Sequence, residues 1–328
     1  MTAHVIRWGI LGTGRIAGVF AEGLRELPDA RLVAVGSRAQ ETADAFGDKY
    51  GVLRRHASYA ALAEDPEVDA VYIATPHSSH AEETIRCLRA GKAVLCEKPF
   101  AINARQAAEM IAVARERGLF LMEAMWTRFL PLMGRVRELL AAGAIGEPRM
   151  VTSDFGFRTS FNPKGRLFDP ALGGGALLDV GVYPVSLASM VLGEPERVSG
   201  LAHLGETGVD EQSAAVLGYG GGRLAVIWTA VRTNTPLEST ILGTDGWIRI
   251  HRPSWRPTKM SLVRQGGDEE VIELPFTGNG YQFEAAEVMR CLREGRTESD
   301  ILPLDETLAI MRTLDRIRES WGLRYPME

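Results

Sequence analysis

The stretch Gly9-Ile10-Leu11-Gly12-Thr13-Gly14-Arg15-Ile16-Ala17 constrains this chain more than any other, because an apolar run (Val5, Ile6, Trp8, Ile10) leads into it and a helical pattern follows. Strand, glycine turn and helix are expected in that order. Gly12 and Gly14 let the backbone turn sharply and approach a pyrophosphate, and Ala17 is small enough for the helix to pack close to the strand. The free N–H groups and positive end of the helix then hold phosphates, which makes Gly12, Thr13, Gly14, Arg15 and Ile16 the candidate cradle. Glycine turns are common in ordinary loops. The position between strand and helix is what points to a dinucleotide.

Beyond the first helix (about 14–26), Arg31 to Ser37 reads as a second strand, with Leu32, Val33, Ala34 and Val35 as a buried run. An NAD site offers Asp or Glu near its end to bind the ribose 2′-hydroxyl. This chain has Gly36-Ser37-Arg38 instead, a hydroxyl and a guanidinium suited to a 2′-phosphate, so NADP is the expected cofactor. Alternation continues through helix 39–50, a short helix at 58–64, strand 69–74, helix 78–90, strand 93–96, helix 103–117 and strand 119–122. Alternating strands and helices imply a doubly wound parallel sheet. Ligands sit outside the carboxyl ends of its strands. Thr75-Pro76-His77, His80 and Glu97-Lys98 fall at such ends, as does Glu123, and all but Glu123 are candidate cofactor contacts.

From about residue 124 the pattern changes. After helix 130–142, strand-like segments dominate (148–158, 196–205, 212–219, 223–231, 236–242, 246–251 and 259–264), joined by turns such as Gly220-Gly221-Gly222 and Asp245-Gly246. Leu224, Val226, Trp228 and Ala230 alternate with Ala225, Ile227 and Thr229. Helices at 279–294 and 304–321 close the chain. At 328 residues the chain suits two domains. The expected architecture is α/β: a Rossmann domain over 1–124, and an α+β domain over 125–328 on an open, mostly antiparallel sheet for substrate binding and oligomerisation.

The formal charge of −5 and a pI near 5.8 leave no basic footprint for nucleic acid or an anionic membrane. No signal segment is read at the N-terminus, and no apolar run is read as approaching the ~20 residues that span a bilayer. Cys87, Cys96 and Cys291 lack C-x-x-C spacing and read as reduced thiols in a cytoplasmic protein, with Cys96 read as a buried small residue over a reactive cysteine. His77 and His80 share a helical spacing, but no third ligand accompanies them, so no metal is expected.

Gly173-Gly174-Gly175-Ala176-Leu177-Leu178-Asp179-Val180-Gly181-Val182-Tyr183-Pro184 places an acid and a phenol four residues apart, which a helix puts on one face. Pro184 interrupts the helical ladder. Blander accounts exist for each residue: Tyr183 a core aromatic, Lys98 a surface lysine, Asp179 a cap. Jointly they suit alcohol oxidation, in which a base takes the hydroxyl proton as hydride leaves. A free phenol titrates near 10, too high for such a base, and a neighbouring ammonium lowers it.

With the glycine turn, Glu97-Lys98-Pro99, Asp179 and Tyr183 in place, the chain resembles the Gfo/Idh/MocA family of nicotinamide oxidoreductases over essentially its whole length. Phe120-Leu121-Met122-Glu123-Ala124-Met125-Trp126-Thr127-Arg128-Phe129, Gly174 to Tyr183, Glu206-Thr207-Gly208-Val209-Asp210 and Pro253-Ser254-Trp255 are similar to the branch of dimeric dihydrodiol dehydrogenases and NADP-dependent D-xylose 1-dehydrogenases. The resemblance makes Lys98 the catalytic lysine, with Tyr183 where many members carry histidine. Asp179 orients substrate, and Trp126, Arg128 and Phe157 line the pocket. It implies oxidation of a sugar or cyclic diol (an aldopyranose at C1, or a trans-dihydrodiol), with reduction of a keto-sugar of the anhydrofructose type as the reverse. The open C-terminal sheet suggests a homodimer or higher homo-oligomer formed face to face through it, with Trp228 at or near the seam. A non-catalytic nucleotide-binding sensor is the rival from another class; a hydrolase or lyase retaining NAD is a third, disfavoured by Ser37-Arg38. A cis Lys98–Pro99 bond is expected.

Overall fold

The computed structural model describes residues 4–328, which gather into two compact units. Among the described residues the first comprises 4–101, Arg105–Trp126 and Thr277–Thr307, the second Ile102–Ala104, Thr127–Phe276 and Leu308–Glu328. In the first part of the chain, β1 (Ile6–Leu11), α1 (Arg15–Leu24), β2 (Ala30–Gly36), α2 (Gln40–Tyr50), β3 (Arg54–His56), α3 (Tyr59–Ala63), β4 (Ala70–Ile73), α4 (His80–Arg89), β5 (Ala93–Glu97), α5 (Ala104–Arg117) and β6 (Leu121–Ala124) alternate as expected. The six strands form one parallel sheet in the order β3-β2-β1-β4-β5-β6. β4 and β5 are buried throughout, because central parallel strands have helices on both faces. The order reverses between β1 and β4, where such sheets take their ligands.

Two details depart from expectation. β3 was not foreseen, since a three-residue edge strand of Arg-Arg-His carries no apolar pattern. The last strand begins two residues later than its apolar run, because the Leu119 N–H still bonds Ala114 O and closes α5. Glu123 is consequently the penultimate residue of β6, fully buried opposite Cys96 at the carboxyl end of the strand, where the sequence placed it.

The chain continues with α6 (Pro131–Ala141), β7 (Pro148–Gly156), α7 (Val182–Leu192), β8 (Arg197–Leu204), β9 (Asp210–Gly218), β10 (Leu224–Ala230), β11 (Ser239–Gly243), β12 (Gly246–Ile250), β13 (Lys259–Arg264), β14 (Glu270–Glu273), α8 (Tyr281–Arg293) and α9 (Leu304–Glu319). The eight strands order as β14-β13-β12-β11-β7-β10-β9-β8, antiparallel except for β7 with β10. β14, a four-residue edge strand, was also not foreseen. α7 packs on β7 and β10, burying Ala225 and Ile227. The opposite face carries Leu224, Val226 and Trp228 half-buried, Val226 pairing with the exposed Val216, and Leu201 on β8 83% exposed. The segment Pro170–Leu192 corrects the expectation that no run is long and apolar enough to span a bilayer. It is 78% buried inside the protein and broken by a 3-10 turn and a π turn, as a core helix would be.

α8 belongs with the parallel sheet, which a single cut at residue 124 does not describe. Gly23 of α1 has no Cβ to strike Asn279 and Tyr281, and Asn279 Nδ2 donates to Val19 O at 2.7 Å. α8 also buries Glu284 completely, with no hydrogen-bond partner for either carboxyl oxygen among the described residues. Burial, and then the charge of Glu97, push its carboxyl well above the usual range, so the fold favours its protonated form. With a folded pKa above the unfolded one, this group's contribution is fully present in acid and lost as pH rises through the folded value. Glu284→Gln should therefore flatten the fall in stability as pH rises above the ordinary carboxyl range. Urea unfolding over that rise checks it, and an unchanged slope would refute the assignment.

Candidate active site

The cradle at the end of β1 forms as its residues dictate. Gly12 has φ +103°, and a Cβ there would lie 2.6 Å from Ala74 O, so only glycine allows this turn against β4. Gly14 caps α1 with no side-chain hydrogen bond, no acid occupies the first turn, and a Cβ at Gly14 would meet nothing within 4 Å. The exposed amides after Gly14 thus face open space with the positive helix end behind them, which fits a pyrophosphate. Thr13, Gly14 and Arg15 also line a cavity of about 430 Å³ with Thr42 and Lys49. Arg15 and Lys49 outnumber the Glu22 carboxylate in that lining, which leaves it a net positive charge. Ile16 is half-buried in the first turn of α1.

At the end of β2, Ser37 Oγ lies 2.5 Å from Thr42 Oγ1 and 3.4 Å from Thr13 Oγ1, while Arg38 is exposed. Hydroxyls and a mobile guanidinium at this strand end, with no carboxylate, fit the ribose side of NADP as the sequence suggested. The buried hydroxyl of Thr75 at the end of β4 has no hydrogen-bond partner among the described residues, as expected of a group kept for a ligand.

Pro76 and His77 follow, half-buried, the His77 ring edge-on to His80 at 5.6 Å. His80 is fully buried; its Nδ1 lies 2.8 Å from Pro99 O and its Nε2 3.1 Å from Thr75 O. Burial lowers its pKa to about 4, against the two carbonyls, which favour the protonated ring. Both nitrogens face backbone, and His80 braces the β4 end against the Lys98–Pro99 turn, whose peptide bond is cis. Glu97 accepts a hydrogen bond from Tyr72 Oη and, at 3.1 Å, from the Lys98 N–H. Tyr72 itself stacks on Phe20 with ring centroids 3.7 Å apart. This buried platform fixes the backbone from which Lys98, half-buried, projects.

The second unit holds the acid and the phenol. Leu177–Gly181 is a π turn running into α7, and its wider pitch accommodates Pro184, which has no N–H for the ladder. Asp179 is 3% exposed and accepts from Arg166 Nη1 at 2.6 Å. Tyr183 is half-buried against Phe155 with centroids 5.2 Å apart. Phe155 also stacks on Trp255 (5.8 Å, 11°) and meets Phe157 edge-on at 6.5 Å. Thr127 Oγ1 donates to Trp255 O at 2.6 Å. An aromatic wall beside a carboxylate is what a ring-shaped, hydroxylated molecule requires. Phe157 was foreseen. Phe155, Arg166 and Trp255 were not, though Trp255 lies in a segment marked by the resemblance. Arg128 is buried and donates to Ser186 O at 2.8 Å, holding α7, while Trp126 is buried with its indole stacked on Tyr281 at 4.7 Å.

Comparison with known proteins agrees with this geometry. Residues 6–125 match the family described as "Oxidoreductase family, NAD-binding Rossmann fold", and residues 133–249 match the "GFO/IDH/MocA C-terminal domain". The chain is 38% identical to a trans-1,2-dihydrobenzene-1,2-diol dehydrogenase of Mus musculus, covering 98% of this chain and 99% of the relative. It is 39% identical to the human protein of the same description at the same coverage. Among solved structures, an aldose-aldose oxidoreductase from Caulobacter crescentus complexed with glycerol superposes with a TM-score of 0.88 at 28% identity, covering 97% of each chain. A 3-ketoreductase from Actinomadura kijaniata in complex with NADP and TDP-benzene gives 0.84 at 29%, covering 97% and 98%.

Proposed function

The chain belongs to the Gfo/Idh/MocA oxidoreductase family, in its dihydrodiol dehydrogenase branch, and from that membership we propose that it transfers hydride between NADP and a CH–OH group of a sugar or cyclic diol. The observation that carries this reading is the buried, Arg166-bound Asp179 on one helical stretch with Tyr183, against the Phe155 wall. Asp179 accepts hydrogen bonds from substrate hydroxyls and orients them, while Phe155, Phe157 and Trp255 pack the ring. Trp126 and Arg128 are the further pocket-lining residues in this reading. NADP, when bound, supplies the nicotinamide that accepts the hydride. The proton of the oxidised hydroxyl passes to the Tyr183 oxygen or the Lys98 amine, and the same two groups return it in the reverse direction. Gly12 to Ile16 hold the pyrophosphate, Ser37 and Arg38 the 2′-phosphate, and Thr75, Pro76, His77, Glu97 and Lys98 lie on the nicotinamide side, with His80 as their brace.

A trans-dihydrodiol or an aldopyranose such as D-xylose is the favoured substrate, given the dihydrodiol dehydrogenase relatives and the aldose oxidoreductase neighbour. The ketoreductase neighbour supports keto-sugar reduction as the second reading. Absorbance of reduced nicotinamide, with NADP⁺ and a panel of dihydrodiols, aldoses and polyols and with NADPH and keto-sugars, tests both. Tight NADPH binding with no turnover in either arm would favour the sensor class.

The half-buried apolar face of β8 to β10 supports a homodimer through that sheet, with Trp228 and Leu201 at the seam. Sedimentation should show a dimer at micromolar protein, and Leu201→Glu should weaken it; monomer alone in the parent protein would exclude it. A cytoplasmic location is supported by three buried free cysteines. Burial pushes Cys87 and Cys291 up to about 12 and Cys96 well above its ordinary value, which leaves them inert.

A further inference from the structure

The turn that launches the Asp179–Tyr183 stretch is gripped from two sides. From the first residue of β9, Asp210 Oδ2 accepts the Leu177 N–H at 2.7 Å, and the Ala176 backbone also bonds its carboxyl. Asp210 is fully buried, and its Oδ1 has no hydrogen-bond partner among the described residues. That oxygen sits where a Cβ at Gly175 would be, 2.2 Å away, and Gly175 has φ +117°, so the turn is built without a side chain to admit the carboxyl. From the C-terminal segment, Tyr325 Oη donates to Gly174 O at 2.7 Å. Leu167 O completes the hold by accepting from Gly175 N at 2.9 Å.

A buried acid without a countercharge is an expensive way to cap a turn. Burial lifts the Asp210 carboxyl to about 7 despite the backbone N–H bonds that favour its ionised form. Asparagine would offer the same acceptor oxygen at lower cost. The position is therefore better explained by what it holds than by the stability it adds. The π turn follows directly, and two residues of the proposed chemistry ride on it within nine residues of Gly175.

We propose that Asp210 is a positioning residue for Asp179 and Tyr183, its carboxylate clamping the turn Gly175–Leu177 so that the π turn presents acid and phenol in fixed relation. The consequence for turnover rests on the function proposed above; the clamp itself does not. Asp210→Ala removes the acceptor, whereas Asp210→Asn keeps one oxygen for Leu177 N. Hydrogen exchange read by mass spectrometry should quicken at least about tenfold over residues 174–183 in Asp210→Ala, stay near the parent rate in Asp210→Asn, and leave the glycine turn at 9–17 unchanged. In NADP⁺-linked oxidation of trans-1,2-dihydrobenzene-1,2-diol, kcat should fall roughly 10- to 100-fold in Asp210→Ala, with NADPH affinity kept and Asp210→Asn largely rescued. Should Asp210→Ala fail to fold, Asp210→Ser serves, since its hydroxyl is too short to reach Leu177 N. Unchanged exchange over 174–183 overturns the clamp, and faster exchange with parental kcat overturns its role in turnover. A parent protein inert toward the diol counts against the proposed function alone, and exchange still decides the clamp.

Discussion

Tyr183→Phe and Lys98→Met should each lower kcat/KM by about 10²- to 10⁴-fold while leaving NADPH affinity within about twofold, measured by quenching of protein fluorescence. The size follows from the chemistry: an alcohol proton has to leave as the hydride does, and removing its acceptor costs about 3 to 5 kcal/mol in the transition state. The selectivity follows from the structure. Phenylalanine keeps the ring that meets Phe155 at 5.2 Å, so packing survives the loss of the oxygen. Methionine keeps an unbranched chain at residue 98, and the hydrogen bonds that shape its backbone come from Glu97, Tyr72 and His80 rather than from the ammonium. The pH profiles separate the two residues, because the variant lacking the titrating base should lose the alkaline rise in kcat. A near-parental rate in either variant would remove that residue from proton transfer.

What the sequence disclosed and what it withheld divide along physical lines. β1, β4 and β5 are almost wholly buried, so each is a mainly apolar run, broken by Arg7 in β1 and closed by Glu97 in β5, that reads as a strand without context. β3 and β14 are short edges held by backbone bonds to one neighbour, and three or four residues are too few for a side-chain pattern to announce them. The partner of α8 was hidden because an amphipathic helix states that it covers something, not what; Gly23 and Asn279 decide it, 256 residues apart in the chain. Within the site, Lys98 was legible because it sits in a compact strand-end turn, and Asp179 and Tyr183 because glycines and a proline frame them. Phe155, Arg166 and Asp210 were not, since each acts only through a neighbour brought to it by the fold: Tyr183, Asp179 and Leu177.

Arg38→Ala should raise the Kd for NADPH by roughly 10- to 100-fold and leave that for NADH unchanged, the loss of about 1.5 to 3 kcal/mol that one charge-assisted hydrogen bond to a phosphate supplies. Arg38 is exposed, so the variant should fold as the parent does. Ser37→Asp is the stronger probe, because it sets a carboxylate against a 2′-phosphate and offers the acceptor that a ribose 2′-hydroxyl wants. Ser37 is only 6% exposed and its hydroxyl contacts Thr42, so an acid there also carries a desolvation cost. That cost falls on both cofactors, whereas the repulsion falls on NADP alone. The ratio of the two affinities isolates the phosphate contact from any general weakening, and titration calorimetry with NADPH and NADH on both variants gives it. A ratio moving toward NADH in both variants assigns the phosphate to Ser37 and Arg38; parallel losses for the two cofactors would move the 2′-phosphate away from the end of β2.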